Sequence, residues 1–179
     1  MLYVLIALVV LIVVGILWWI SAGNRFRTLN VKINETESGI DVALTKRYDV
    51  LTKLLDVCKQ YAAHEKDTFT QIVQMRGGMT MKERSEAAGA MDGLMGRINA
   101  LAEGYPALRA SEQYQGLQAG IRDVEEQLQA SRRLYNGNVS SLNQLLVTFP
   151  SSIVGKHLGI TAREFFQAED AKRQDVSMK

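Results

Sequence analysis

From Leu2 to Ile20 the chain is uncharged and almost wholly apolar, and nothing after that run resembles it. At about 1.5 Å per residue the run spans roughly 28 Å as a helix, close to the ~30 Å hydrocarbon core of a bilayer. Trp18 and Trp19 lie at its end, where aromatic rings favour the headgroup interface. Leu2, Leu11, Trp18, Trp19 and Ile20 are therefore expected in a membrane anchor over residues 1–23. The rest of the chain, polar and helical in pattern, is expected to work at a membrane surface.

A cleaved signal peptide is the rival reading. It needs a basic n-region, an apolar stretch of about 7–15 residues and a small-residue cleavage site. Only the terminal amine precedes this run, and the run is longer than that; Ser21, Ala22 and Gly23 are nonetheless small enough to leave removal open. Arg25, Arg27 and Lys32 follow the segment with no counterpart before it. The positive-inside rule then puts the N-terminus outside and the helical domain in the cytoplasm, at the inner membrane if the host is a bacterium.

Beyond the anchor, about 155 residues remain, enough for one domain with its own core. Lys and Arg number 21 against 19 Asp and Glu, a net charge of +2. So small an excess, with no basic run, argues against nucleic acid as a partner. The single cysteine, Cys58, excludes an intramolecular disulfide and suits a reducing compartment.

Apolar periodicity predicts an all-α chain. Tyr114, Leu117, Ile121, Val124, Leu128, Tyr135, Val139, Leu142, Leu146 and Phe149 recur in steps of three and four, with Ser131 in the one gap. They describe a long amphipathic helix with a narrow, coiled-coil-like seam, capped by Ser111 and stopped by Pro150. An earlier helix carries Ile33, Ile40, Leu44, Leu51, Leu54, Cys58, Tyr61, Phe69 and Ile72, and runs from the anchor to about Arg76, where Gly77 and Gly78 break it. A shorter helix over about Lys82–Glu103 lies between them and ends at Tyr105-Pro106. Thr161-Ala-Arg-Glu164 has capping-box form ahead of Phe165 and Phe166 and predicts a short final helix. The expected architecture is a transmembrane helix, an elongated antiparallel bundle of long helices over 24–149, and a C-terminal segment over 150–179 made of a loop, a short amphipathic helix and a polar tail.

The middle helix is too short to cover both long ones. Tyr114, Leu117, Ile121, Val124, Leu128, Tyr135, Leu142 and Leu146 are therefore expected to leave part of a seam for another copy of the chain. The segment after Pro150 combines Ile153, Val154 and Leu158 with Lys156 and His157, and Phe165 and Phe166 follow. It suits either a lipid or subunit contact or a fold back onto the bundle end.

No constellation of catalytic, cofactor-binding or metal-ligating residues emerges. His64-Glu65 shares two residues with a zinc-protease motif, but Thr68 stands where the second histidine belongs. Cys58 lies on the apolar seam and reads as a small buried hydrophobe. Gly77-Gly78 lacks the rest of a phosphate loop. Asp41 and Arg47 are too far apart along a helix for a direct i,i+4 pair.

Several blocks together resemble the LemA family. Asn24, Ile40-Asp41-Val42-Ala43-Leu44 and Lys46-Arg47-Tyr48-Asp49 are similar to its first signature, and Tyr61-Ala62-Ala63-His64-Glu65 to the next. Ala102-Glu103-Gly104-Tyr105-Pro106-Ala107-Leu108-Arg109-Ala110-Ser111 is close to its most specific stretch. Leu117, Glu125, Arg132, Tyr135-Asn136, Val139, Phe149-Pro150 and Phe165-Phe166-Gln167 continue the pattern. Thr52 stands where the family usually has a proline, and Leu142-Asn143 where it has an aromatic-Asn pair. The resemblance implies a bacterial membrane protein with a helical bundle, from a family with no established enzyme activity and with one member that serves the building of the magnetosome organelle. Anchor, seam and resemblance together predict a self-associating helical scaffold that organises the membrane or recruits partners at its cytoplasmic face. The alternative is a monomeric or dimeric signalling or secretion adaptor with a helical groove for another protein. The expected partners are the lipid bilayer, further copies of the chain and an unidentified protein, with no cofactor.

Overall fold

The computed structural model describes residues 1–61 and 78–167, and every regular element among them is an α-helix. These are α1 (Leu2–Tyr61), α2 (Met81–Gly104), α3 (Pro106–Ala110), α4 (Glu112–Val147) and α5 (Ser151–His157). The predicted continuation of the first helix through Phe69 and Ile72 to Arg76, with His64-Glu65, lies outside the described residues, as does the tail from residue 168.

Local chemistry explains the boundaries. No proline interrupts α1, so its hydrogen-bond ladder runs from the apolar stretch into the polar sequence without a break. At the start of α2 the backbone N–H of Thr80 donates to Glu83 Oε2 (2.6 Å) while that of Glu83 donates to Thr80 Oγ1 (3.3 Å), a reciprocal capping box. Pro106 opens α3, where its missing N–H is not needed. Ser111 Oγ accepts from the backbone N–H of Tyr114 (3.2 Å), the cap predicted for the long helix. That helix ends at Val147 and the turn through Pro150 leads straight into α5.

The chain divides into two compact units. The first comprises Met1–Thr36 and Leu134–Glu164. Every side chain from Met1 to Ser21 is exposed, so no protein core explains why this run is apolar. Below it α1 and α4 run antiparallel: Asn138 Nδ2 donates to the Lys32 carbonyl (3.5 Å), and Leu146 lies by Phe26 across Gly155. Phe26, Ile33, Tyr135, Val139, Leu142 and Val154 are buried in this unit.

The second unit comprises Glu37–Arg133 and Phe165–Lys179. Its core joins Leu51, Leu54, Leu55 and Cys58 of α1 to Met91, Leu94 and Ile98 of α2, Leu108 of α3 and Ile121 of α4. The gap in the apolar series at Ser131 falls opposite Gly39 of α1: a methyl at Gly39 would lie 3.4 Å from Ser131 Oγ, in ordinary contact with it.

Two expectations are corrected. Tyr114, Ile121, Val124, Leu128, Tyr135 and Leu142 are buried within the chain, and Leu117 and Leu146 are half-buried, so the seam is spent on intrachain packing. The reckoning from α2 alone overlooked that α1 itself covers α4. Among the described residues the helix predicted from Thr161 does not form: residues 161–167 carry no regular secondary structure, and the short helix stands at Ser151–His157. Side chains of α4 bond this backbone in place of helical partners. Asn143 Oδ1 accepts from the Arg163 N–H and Asn143 Nδ2 donates to the Arg163 carbonyl, both at 2.9 Å, and the Tyr135 hydroxyl donates to the Glu164 carbonyl (2.9 Å).

Candidate functional site

The second unit holds a buried charge network. Arg47, on α1, is almost wholly buried, and its guanidinium reaches α2 at Ala88, within a run of small buried residues, Ala87, Ala88 and Gly89. Its Nη1 donates to the Ala88 carbonyl (3.3 Å), its Nη2 bonds Asp92 of α2 and lies 3.1 Å from Glu125 Oε2 of α4. One cation thus ties three helices together. Arg132, one face along α4, stacks over the Phe166 ring (4.3 Å to the centroid). Burial lowers the pKa of Arg132, against the pull of Glu125 and Asp92. A second set joins Arg84 of α2 to Asp41 (2.5 and 2.8 Å) and Glu37 (2.6 Å) of α1. Burial works to lower the pKa of Arg84, but these bonds outweigh it and raise the value.

Cys58 is buried, and burial alone pushes its thiol up to about 11, away from nucleophilic use. Burial also raises Tyr114, whose hydroxyl accepts from Gln118 Nε2 (2.8 Å) and donates to Asn99 Oδ1 (3.4 Å). Tyr114, Gln118 and Asn99 are bonded to one another, and Tyr114 and Asn99 line a depression with Ala102, Glu103 and Arg109 that holds no nucleophile or acid–base pair. The depression along α4 lined by Arg122, Glu125, Gln129 and Arg133 is an open side of one helix.

The membrane-proximal end of the first unit is the other candidate. Trp19 meets the His157 ring edge-to-face, with centroids 5.5 Å apart and 68° between planes. Leu158 lies against Gly23, and Gly155 sits so tightly against Leu146 and Phe26 that a methyl there would come within 2.7 and 3.0 Å of them. Thus α5 docks onto α1 just after the apolar run. Arg25, Arg27 and Lys32 are exposed along the same stretch of α1.

Of the C-terminal residues singled out from sequence, Val154 and Phe166 are buried, Leu158 is half-buried, and Ile153 and Phe165 remain exposed. Phe166 belongs to the second unit's charge network rather than to any outer surface. Sequence reasoning missed the partners of Arg47 and Arg84, because ion pairs between helices have no fixed spacing. It also assigned Phe149 to the helix seam, whereas its side chain is exposed, and it passed over Val147, which is exposed beside it.

Comparison with known proteins agrees with this architecture. The chain is 27% identical over 173 residues to Protein LemA of Metamycoplasma hominis, covering 93% of this chain and 79% of that protein. It is 22% identical over 85 residues to the magnetosome protein MamQ of Magnetospirillum gryphiswaldense, covering 48% of this chain and 31% of that one. The sequence profile of the LemA family matches residues 22–179, from the end of the apolar run through all the helices just described, and the chain belongs to the LemA family.

Proposed function

We propose that this protein is a membrane-anchored helical scaffold that self-associates and organises the bilayer, or recruits partners to it, without a catalytic step. The observation that carries the reading is α1: one helix passes unbroken from an exposed apolar span into the helical body, so the body is held at the membrane surface by a continuous element. The basic residues Arg25, Arg27 and Lys32 support a cytoplasmic body and an outside N-terminus, at the inner membrane of a bacterial host. A relative named as a magnetosome protein is in keeping with membrane organisation. Since the seam of α4 is buried, self-association falls to the anchors, gathered in one bilayer, and to outward residues such as Val31, Val42 and Leu134. Several anchors on one assembly raise its hold on the membrane by avidity.

The test is the mass and shape of the full-length protein in mild detergent, by light scattering and negative-stain microscopy. A discrete assembly of many copies is expected. A monomer would overturn the scaffold and favour the adaptor reading, which the non-helical segment at 161–167 supports, since Asn143 of α4 bonds both the N–H and the carbonyl of Arg163.

A further inference from the structure

The corner between α4 and α5 carries three large apolar side chains that stay exposed among the described residues: Val147 is 82% exposed, Phe149 78% and Ile153 50%. The corner is otherwise well ordered in its contacts. Val154 and Gly155 are buried against α1, and the Ser151 hydroxyl donates to the carbonyls of Leu145 and Thr148 (both 2.8 Å). Exposure here is therefore a property of a fixed turn whose other side is fully used.

Its place along α1 says what lies next to it. Trp19 touches His157, Gly23 touches Leu158 and Phe26 touches Gly155, so the corner is docked where the apolar run ends. In a helix that spans a bilayer this is the headgroup level, the depth at which Trp18 and Trp19 are stable. Charge points the same way. Neither Leu2–Asn34 nor Gln127–Arg163 contains an Asp or Glu, while Arg25, Arg27, Lys32, Lys156 and Arg163 are all exposed in this unit. A surface with apolar and aromatic tips, on a unit whose exposed cations (Arg25, Arg27, Lys32, Lys156 and Arg163) outnumber its exposed acids (Glu35 and Glu164), complements a membrane interface with anionic headgroups.

We infer that the α4–α5 corner is a second membrane contact: Phe149, Ile153 and Val147 enter the bilayer interface beside the anchor, and the unit's exposed cations favour anionic lipid. The inference rests on α1 spanning the bilayer, but not on self-association. A helix joined to its membrane at one point is free to swivel and tilt. A corner seated in the interface fixes α4 as well as α1 of the first unit to the bilayer and limits that freedom.

The experiment uses the full chain with Cys58→Ala, spin-labelled at Phe149→Cys or Ile153→Cys, in vesicles of phosphatidylcholine with and without phosphatidylglycerol. Labels at Ile12→Cys, within the apolar run, and Arg97→Cys, exposed on α2, serve as bilayer and water references. The expected result is a ratio of oxygen to nickel-chelate accessibility at 149 and 153 several-fold above that at 97, rising further with anionic lipid. Water-like ratios at 149 and 153 beside a bilayer ratio at 12 would overturn the second contact while leaving the anchor intact. Shielding from both reagents would overturn it too, and would assign the corner to another protein copy. A water-like ratio at 12 would bring down the anchor reading along with the proposal. Equal ratios in the two vesicle types would overturn the role given to the cations.

Discussion

Arg47 illustrates how one residue can hold a helical unit together. Its charge is buried, yet its donors reach a carboxylate on each of two other helices and a backbone carbonyl. Leaving a buried charge without its partner costs more than an intact pair contributes. Asp92 keeps some contact with water, so Arg47→Ala is expected to cost about 2–4 kcal/mol in urea unfolding. Arg47→Met together with Asp92→Leu should recover much of that loss; a double variant no better than the single would refute this account. Cys58 and Tyr114 set a pH dependence. Both are held protonated by burial, Cys58 with a pKa of about 11 against 9.0 for the free thiol. The unfolded chain then releases its protons first, so stability is intact below pH 9 and falls as the pH rises toward 11. Thermal melts of Cys58→Ala should show a shallower fall across that window, and parallel curves would exclude the thiol as a cause.

The elements differ in what makes them form. The Ser111 cap and the apolar periodicity of α4 act locally and were read from the order of residues, whereas the Thr80–Glu83 capping box of α2, equally local, was not. By contrast α5 has seven residues, too few to be stable as an isolated helix, and one of them is glycine. It exists because Gly155 lets it close onto Leu146 and Phe26. Gly155→Leu adds a side chain where even a methyl is crowded, and overpacking of this kind costs about 1–3 kcal/mol. Amide hydrogen exchange is expected to show lost protection over residues 151–158 with α2 unchanged; wild-type protection there would mean that α5 does not depend on this close approach. The same logic explains why residues 161–167 are not helical, where a capping-box pattern lost to side chains of α4 that bond the backbone.

For the whole molecule the buried seam changes what mutations report. Leu128 is fully buried, so Leu128→Ala is expected to lower stability by about 2–5 kcal/mol while leaving the mass of the detergent-solubilised assembly unchanged. Dissociation at full stability would restore the seam as an intermolecular surface. Substitutions among Val31, Val42 and Leu134 are the ones that should act on assembly without loss of stability.

What the order of residues decided alone was set by properties that act over a few turns. Nineteen uncharged residues make a bilayer-length helix, three- and four-residue steps make amphipathic helices, and Ser111 and Thr80 cap them wherever the rest of the chain goes. Family blocks spread along the chain were legible in the same way, since they are matched one residue at a time. Tertiary structure alone decided which partner each face received. It covered the α4 seam with α1, gave Arg47 and Arg84 their carboxylates from distant helices, and turned Ser151–His157 into a helix beside Trp19. The reason is physical: an apolar stripe or a lone cation carries a demand for burial or for a counter-charge, but nothing in its own neighbourhood says who will supply it.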